Sequence, residues 1–256
     1  MKLLDFSKYS SIKIGPTVKI KIIDKIKKEN ESYTIIGGAN NLLVSPNPPK
    51  LAKLSKSFDY IYQKDNLLYI GGATPSGKIL SYAKKNDIAH FEIMQKLPGL
   101  LGGIVKMNAG LKEYEISNYL LYIKTINNYI EKDNIKFSYR YTNIKNIIYE
   151  AVFKIEKGFN YKLFKYFENL RANQPNLPSA GSCFKNPKGY YAGEIIENCG
   201  LKGYQKGNAA FSKQHANFLV NLGNAKFQDA LYLIELAENK VFEKFKIKLE
   251  KEIIIL

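Results

Sequence analysis

Strand-like and helix-like segments follow one another along this chain of 256 residues without strict β-α-β alternation. Apolar runs predict strands at residues 18–22, 33–36, 58–62, 67–70, 119–126, 147–155, 209–212, 218–221 and 247–256. For the first of these, a helix through residues 22–26 is the alternative. Helical periodicity predicts helices over about 74–86, 164–170, 192–199 and 224–241. Because regular alternation is what builds a purely parallel sheet, this mixture predicts an α+β fold.

Three helix ends carry specific signals. Thr74 is placed to cap a helix whose first position is Pro75. Gly200 follows Cys199 and is expected to stop the third helix. Asn224 is placed to cap the last one.

The chain is basic, with 39 lysines and arginines against 23 aspartates and glutamates and a net charge of +16. A positive balance favours anionic partners such as nucleic acids, anionic lipids or phosphorylated small molecules. The lysines are spread over the whole length instead of forming one basic run. We therefore expect no nucleic-acid partner, and a basic nucleic-acid-binding protein is the less favoured alternative.

The cysteine content and the apolar runs predict the compartment. There are 2 cysteines and no CxxC pair, so we expect neither a disulfide framework nor a metal site. No apolar run approaches membrane-spanning length. The sequence predicts a cytoplasmic protein without a membrane partner.

Two glycine-bearing segments are candidates for binding a phosphate group. The first follows a predicted strand, and the second lies about sixty residues later; a phosphate cradle needs such residues because backbone N–H groups must approach it closely. Neither segment matches a G-x-G-x-x-G or Walker motif, so an ordinary tight turn is the alternative for each. Together they favour a dinucleotide cofactor, with these candidate residues: Gly37, Gly38, Ala39, Asn40, Asn41, Leu42, Pro98, Gly99, Gly102, Gly103, Asn108 and Gly110.

A serine-containing segment at residues 178–187 carries the most chemistry. Ser182 follows a glycine and has no nearby histidine, so triad chemistry is not expected. A serine can still protonate a strongly basic carbanion, and the alternative is a hydroxyl that caps a turn. Cys183 is expected to be a packed residue. Lys185 and Asn186 suit a diphosphate, although both residue types are common on surfaces.

Arg140 and Glu252 are the candidate charged groups. Arg140 lies among aromatic residues, where it either stacks on Tyr139 or Tyr141 or binds a carboxylate or phosphate. Glu252 precedes an apolar terminus, so it is either a partly buried acid or an edge-strand charge that prevents aggregation.

Taken in order, these segments resemble the UDP-N-acetylenolpyruvoylglucosamine reductase family, also called UDP-N-acetylmuramate dehydrogenase. Each motif is modest, but their order is specific and spans nearly the whole chain. The matching segments are Gly37-Gly38-Ala39-Asn40-Asn41-Leu42-Leu43-Val44; Leu97-Pro98-Gly99 with Gly102-Gly103 and Asn108-Ala109-Gly110; Tyr139-Arg140; Ala180-Gly181-Ser182 with Phe184-Lys185-Asn186-Pro187; Gly200-Leu201-Lys202-Gly203; His215-Ala216-Asn217-Phe218; and Leu249-Glu250-Lys251-Glu252.

The resemblance implies an FAD-binding domain over residues 1–157, with lobes at about 1–66 and 67–157, and a smaller α+β substrate-binding domain over residues 158–256. It implies that NADPH reduces FAD and that the enolpyruvyl ether of UDP-N-acetylglucosamine then becomes UDP-N-acetylmuramate, in peptidoglycan precursor synthesis. The implied partner is thus a nucleotide sugar, and we expect a monomer. Another FAD-dependent oxidoreductase on the same scaffold is the alternative.

The resemblance also implies roles for single residues. Arg140 and Glu252 would stabilise the enolate-like intermediate, and Ser182 would protonate its α-carbon. Tyr139, Lys185 and Asn186 would contact the substrate. An unsaturated carboxylate that accepts a hydride needs such a constellation, because negative charge develops on the carboxylate.

The chain departs from the family pattern in three places. Leu111-Lys112-Glu113-Tyr114 replaces a small residue, an aromatic and a glycine, and Cys183 replaces an aromatic residue. The span from Arg140 to Gly181 is too short for the tyrosine-bearing loop that covers the substrate in one branch of the family. The chain therefore resembles the shorter branch.

Overall fold

A computed structural model describes all 256 residues of the chain. The residues divide into two compact units that interleave in sequence. The first unit comprises Ile20–Gly38 and Lys50–Ala172, together with Met1. The second unit comprises Lys2–Lys19, Ala39–Pro49 and Asn173–Leu256. The predicted functional boundary between residues 157 and 158 is a different kind of division and stays a prediction.

The helices and strands are numbered in chain order. The helices are α1 (Phe6–Tyr9), α2 (Ser76–Lys85), α3 (Leu101–Lys106), α4 (Tyr161–Leu170), α5 (Ala192–Asn198) and α6 (Phe227–Phe245). The strands are β1 (Lys2–Asp5), β2 (Thr17–Ile23), β3 (Thr34–Ile35), β4 (Leu42–Leu43), β5 (Leu51–Leu54), β6 (Ile61–Lys64), β7 (Leu67–Gly71), β8 (Gly110–Leu111), β9 (Tyr114–Glu115), β10 (Leu120–Lys124), β11 (Tyr129–Glu131), β12 (Phe137–Ser138), β13 (Tyr141–Thr142), β14 (Glu150–Lys154), β15 (Ser179–Ser182), β16 (Gln205–Lys206), β17 (Ala209–Phe211), β18 (Phe218–Asn221) and β19 (Ile254–Ile255).

The first unit contains a small parallel sheet and a larger antiparallel one. Strands β2 and β3 both pair with β5 in parallel. The antiparallel sheet has the order β11-β10-β14-β7-β6. Asp65 and Asn66 connect β6 to β7 with φ of 50° and 60°, the left-handed turn that tight hairpins favour. Helices α2, α3 and α4 contribute to the same buried apolar cluster as this sheet.

The second unit is built on one antiparallel sheet of order β15-β18-β17-β16. Helices α5 and α6 share a buried apolar cluster with its strands. Ile12 and Ile14 from the N-terminal segment belong to this cluster. Near the C-terminus, β19 pairs in parallel with β4. The second unit therefore joins three distant parts of the sequence in one core.

The α+β prediction is confirmed, and so are most predicted elements. Strands β2, β7, β14 and β18 and helices α2, α4, α5 and α6 lie where apolar patterns place them. The helix alternative at residues 22–26 is wrong, because β2 extends to Ile23. Gly200 follows α5 with φ of 72°, as its predicted role as a stop requires.

Three local predictions are wrong. Thr74 does not cap α2, because its hydroxyl donates to the Tyr60 carbonyl oxygen at 3.1 Å and the helix begins at Ser76. Asn224 has φ of 55°, a turn conformation that asparagine tolerates, and Lys226 precedes α6. Within residues 247–256 only β19 is a regular strand, with a separate bridge between Lys251 and Phe184.

None of the helices combines the length and the apolarity that are needed to cross a bilayer.

Candidate functional site

Arg140 lies at the tip of a short hairpin in the first unit. Strands β12 and β13 pair through Ser138 and Tyr141, which leaves Tyr139 and Arg140 as the turn. Arg140 has φ of 54°, a left-handed conformation that is uncommon for residues other than glycine. Its Nη2 donates to the Gly110 carbonyl oxygen at 2.8 Å, and its guanidinium carbon lies 5.3 Å from the Tyr139 ring centroid. Arg140 therefore lies over Tyr139 as the stacking alternative predicts, and its binding of a carboxylate or phosphate stays a prediction.

Asn108 holds this hairpin through a hydrogen bond to its main chain. It is fully buried, and its Nδ2 donates to the Glu115 Oε2 at 2.6 Å and to the Ser138 carbonyl oxygen at 3.1 Å. The Thr142 hydroxyl donates to the Lys106 carbonyl oxygen at 2.7 Å. The structure thus joins the second glycine segment to the hairpin that carries Arg140. A contact between Asn108 and a cofactor stays a prediction.

The glycines of the second segment have different surroundings. The Gly102 N–H donates to the Gly72 carbonyl oxygen at 2.9 Å, and a Cβ on Gly102 would lie only 3.2 Å from that oxygen. A side chain at Gly102 would therefore crowd the main chain of Gly72, against which α3 lies. A Cβ on Gly103 would meet no atom within 4 Å, so open space adjoins this residue. Gly99 has φ of 130°, and Pro98 before it is exposed.

The first glycine segment combines left-handed residues with anchored ones. Gly37 and Ala39 both have φ of 51°, and a Cβ on Gly37 would meet no atom within 4 Å. In the second unit, the Ser11 N–H donates to the Ala39 carbonyl oxygen at 3.2 Å and the Ser11 hydroxyl donates to the Asn40 carbonyl oxygen at 3.1 Å. The Asn41 Nδ2 donates to the Glu252 carbonyl oxygen at 2.8 Å. Leu42 follows in β4, which pairs with β19.

Ser182 and Glu252 are held beside one another in the second unit. Ser182 ends β15, and the Glu252 N–H donates to the carbonyl oxygen of the next residue, Cys183, at 2.9 Å. The Ile253 N–H shares the same acceptor at 3.2 Å. Ser182 and Glu252 are both half-buried. The structure therefore brings the predicted hydroxyl and carboxyl residues to adjacent positions.

The residues around Ser182 have clear structural roles. Cys183 is 1% exposed and burial raises the pKa of its thiol, so the prediction that it is a packed residue is confirmed. The Lys185 Nζ lies 2.6 Å from the Glu250 Oε1. The Asn186 Oδ1 accepts from the Ala192 N–H at 2.9 Å, which caps α5. Substrate contacts of Lys185, Asn186 and Tyr139 stay predictions.

Sequence reasoning missed two buried residues that hold main-chain atoms, Asn217 next to the Ser182 segment and Arg171 in the first unit. The side chain of Asn217 is 3% exposed and accepts from the Phe184 N–H at 2.9 Å while donating to the Phe184 carbonyl oxygen at 2.8 Å. Arg171 is 6% exposed and directly follows α4. The one signal for Asn217 was its place in the segment His215-Ala216-Asn217-Phe218, and Arg171 had none.

His215 lies beside Asn217. Its Nδ1 accepts from the Asn217 N–H at 3.2 Å, and its ring packs against Phe218 and Gly193. Burial lowers the pKa of His215, which favours the neutral ring that this hydrogen bond requires. The contacts of His215 are therefore structural, and they stabilise the segment that contains Asn217. No group of three or more His, Cys, Asp or Glu side chains is arranged to hold a metal ion.

Comparisons with known proteins agree with this arrangement of motifs. Residues 173–256 match the family model described as "UDP-N-acetylenolpyruvoylglucosamine reductase, C-terminal domain". A UDP-N-acetylenolpyruvoylglucosamine reductase of Helicobacter hepaticus is 49% identical over 99% of this chain and 98% of the relative. One of Campylobacter jejuni is 46% identical over 99% of this chain and 100% of the relative.

The solved structures agree as well. The crystal structure of UDP-N-acetylenolpyruvylglucosamine reductase from Thermus caldophilus matches with a TM-score of 0.87 and 25% identity, over 99% of this chain and 98% of that one. Similarity of this extent covers both units and every motif named above. The chain belongs to the UDP-N-acetylenolpyruvoylglucosamine reductase family.

Proposed function

We propose that this chain reduces the enolpyruvyl ether of UDP-N-acetylglucosamine to UDP-N-acetylmuramate, with bound FAD and with NADPH as the electron donor. The reaction would serve peptidoglycan precursor synthesis, and through it cell shape and division. The protein would act as a cytoplasmic monomer. Family membership over the full length of the chain supports the reaction class.

The observation that carries the proposal is the main-chain hydrogen bond between Glu252 and Cys183, the residue that follows Ser182. The Cys183 carbonyl oxygen accepts from the Glu252 N–H, so the backbones of the proposed proton donor Ser182 and the proposed acid Glu252 lie near each other although the two residues are seventy positions apart. Such a pair is needed where charge develops next to the carbon that is protonated. An edge-strand charge at Glu252 would not require this neighbour.

The glycine segments fit a dinucleotide. The left-handed residues Gly37 and Ala39 flank Gly38, a backbone pattern that turns successive N–H groups toward one side and binds anions. Gly103 adjoins open space where a phosphate could approach the main chain. We propose that residues 37–42 and 98–103 hold the pyrophosphate of FAD, with Gly110 and Asn108 supporting the second segment. When bound, FAD supplies the hydride that adds to the vinyl group of the substrate.

The side chains supply the remaining chemistry. Arg140 would bind the substrate carboxylate through its guanidinium fork, and its bond to the Gly110 carbonyl oxygen fixes the direction of that fork. Arg140 and Glu252 would stabilise the negative charge that develops on the carboxylate. The Ser182 hydroxyl would donate a proton to the α-carbon. Tyr139, Lys185 and Asn186 would contact the nucleotide sugar.

The proposal is tested with the purified protein. We expect the absorbance spectrum of a flavoprotein and NADPH oxidation that depends on the enolpyruvyl nucleotide. A colourless protein, or one whose NADPH oxidation ignores that nucleotide, would refute it. A different FAD oxidoreductase on the same scaffold would be coloured but would not turn over this substrate.

Ser182→Ala tests the proton-donor role. We expect flavin reduction by NADPH to stay near the wild-type rate, while flavin reoxidation by substrate slows by about 10²-fold or more, which is the usual contribution of a general acid. Stopped-flow absorbance separates the two half-reactions. Ser179→Ala is a matched control in the same strand, and we expect it to leave reoxidation within a few-fold of wild type. Equal slowing of both half-reactions by Ser182→Ala would contradict the assignment.

A further inference from the structure

Glu115 is an acidic residue of the first unit that receives a hydrogen bond from the buried side chain of Asn108. It lies in β9, opposite Gly110 of β8. Its Oε2 accepts from the Asn108 Nδ2 at 2.6 Å. A short hydrogen bond to a carboxylate is charge-assisted and is stronger than one between neutral groups. Glu115 is therefore a principal partner of Asn108, although the proposed function gives it no role.

The bond to Glu115 decides which way the Asn108 amide points. An ionised carboxylate can only accept hydrogen bonds, so the nitrogen of the amide, and not its oxygen, must face Glu115. The same nitrogen donates to the Ser138 carbonyl oxygen at 3.1 Å, and the amide oxygen accepts from the Ser117 N–H at 3.4 Å. Because Asn108 is fully buried, water cannot take the place of this acceptor. Without Glu115, one N–H of the amide would lose its partner, and the amide would be less constrained to donate to Ser138.

Two contacts connect this network to Arg140. Ser138 lies two residues before Arg140, in the strand that leads into its turn, so the bond from Asn108 holds the backbone directly before that turn. The Arg140 Nη2 donates to the Gly110 carbonyl oxygen at 2.8 Å, and Gly110 is the strand partner of Glu115. The two partners are in close contact, because a Cβ on Gly110 would lie 3.0 Å from the Glu115 Cγ. The backbone and the guanidinium of Arg140 are thus both held by groups that adjoin Glu115.

We propose that Glu115 is a positioning residue that acts through Asn108 to fix Arg140 in the orientation that binds the substrate carboxylate. This inference rests on the proposed function, which gives Arg140 the direct contact with that carboxylate. Arg140 has φ of 54°, a conformation that is costly for residues other than glycine and that persists only where the surroundings enforce it. Glu115 supplies the acceptor on which that enforcement depends.

The half-reaction in which substrate reoxidises the flavin tests the inference on the FAD-loaded protein. We expect Glu115→Ala to slow it at least about tenfold, since a misplacement of about 1 Å can cost about 100-fold. Flavin reduction by NADPH should stay near the wild-type rate, because Arg140 has no proposed part in it. Glu115→Gln keeps an oxygen acceptor at the same reach and should recover most of the rate. Glu113→Ala is the matched control, because Glu113 is exposed between β8 and β9 and should leave both half-reactions unchanged.

A double-mutant cycle shows whether Glu115 acts through Arg140. Arg140→Ala removes the group that Glu115 is proposed to position, so adding Glu115→Ala to it should slow reoxidation by less than about twofold further. If Glu115→Ala does not fold, Glu115→Asp carries the same cycle, because it keeps the charge and shortens the side chain by one CH₂ group. Glu115→Asp should be slower than Glu115→Gln, which is the reverse of what a purely electrostatic role would give.

Amide hydrogen exchange provides a readout that does not depend on catalysis. Exchange in peptides that cover residues 137–142 should be faster in Glu115→Ala than in the wild type, because local opening of this hairpin becomes easier. Glu115→Gln and Glu113→Ala should exchange at the wild-type rate there. Unchanged exchange in Glu115→Ala would contradict a positioning role for Glu115.

The outcomes separate the inference from the proposed function. A wild-type rate of reoxidation in Glu115→Ala, equal slowing of both half-reactions, or a multiplicative effect beside Arg140→Ala would overturn the inference alone. An Arg140→Ala variant that substrate reoxidises at the wild-type rate would overturn the proposed role of Arg140, and the inference with it. Slow reoxidation in Glu115→Ala, its recovery in Glu115→Gln and the loss of the effect beside Arg140→Ala support the inference.

Discussion

Replacing Asn217 by alanine should loosen the backbone that carries Ser182. The Asn217 amide accepts from the Phe184 N–H at 2.9 Å and donates to the Phe184 carbonyl oxygen at 2.8 Å. Both Asn217 and Phe184 are almost fully buried. Alanine would therefore leave a main-chain donor and a main-chain acceptor without partners in a site that excludes water.

The magnitude follows from these two orphaned groups. Each buried polar group that loses its partner costs about 1–3 kcal/mol, so the two groups together should lower the free energy of unfolding of Asn217→Ala by roughly 2–6 kcal/mol. For a chain of this size, 1 kcal/mol corresponds to roughly 2–4 °C in Tm. We also expect kcat to fall, because Phe184 lies two residues after Ser182 and forms the bridge with Lys251, the residue before Glu252.

Urea unfolding and calorimetry of the purified variant measure both effects on stability. Asn208→Ala is the matched control, because Asn208 is exposed in the same unit, and surface substitutions usually change stability by less than about 0.5 kcal/mol. A decrease of less than about 1 kcal/mol in the free energy of unfolding of Asn217→Ala would refute the reasoning, because two buried polar groups without partners should cost more than that. A loss of stability with unchanged kcat would refute only the link to Ser182.

Two other predictions concern glycine packing and pH. Gly110→Ala should destabilise the first unit by a few kcal/mol, because its Cβ would collide with the Tyr114 carbonyl oxygen, whereas Gly103→Ala should keep the fold and weaken FAD binding. Thermal unfolding measures the loss of stability, and flavin titration measures FAD binding. Equal Tm values for the two variants would contradict the predicted destabilisation by Gly110→Ala. Burial lowers the pKa of His215 below that of an unfolded histidine, so its stabilising contribution is present above pH 6.5 and is lost as pH falls. The urea midpoint should therefore change more between pH 7.5 and pH 5.0 in the wild type than in His215→Phe. An identical change in both proteins would show that His215 does not cause the pH dependence.

Elements with a strong apolar period could be predicted from the sequence. Helix α6 keeps one apolar face over nineteen residues, and its buried side chains follow the helical spacing. Strand β18 is buried at every position, so its apolar run marks it directly. The N-terminal cap of α2 could not be predicted, because a threonine hydroxyl has several acceptors within reach. Thr74 donates to the Tyr60 carbonyl oxygen, a partner that only the folded hairpin supplies.

The supporting residues of the candidate site were beyond sequence reasoning for a different reason. Asn217 and Arg171 act through main-chain atoms, whose positions depend on the fold and not on residue type. A side chain that bonds to another side chain leaves a chemical pair in the sequence, such as an acid and a base. A side chain that bonds to the main chain has no partner residue type that the sequence could reveal. Candidate site residues such as Ser182 and Glu252 could therefore be proposed from the sequence, while Asn217, which bonds to the neighbouring main chain, could not.

Hydrogen bonds from side chains to main-chain atoms also join the distant segments of the second unit. The Asn221 Nδ2 donates to the carbonyl oxygens of Ile12 and Lys13, and the Asn41 Nδ2 donates to that of Glu252. The segment proposed to hold the cofactor pyrophosphate is thus bonded to the residue proposed to act on the substrate. A displacement of residues 39–42 is transmitted to Glu252 through one hydrogen bond and the β4–β19 pairing. If residues 39–42 hold the cofactor as proposed, we expect its binding to be coupled to the placement of Glu252, although the two segments are more than two hundred residues apart in sequence.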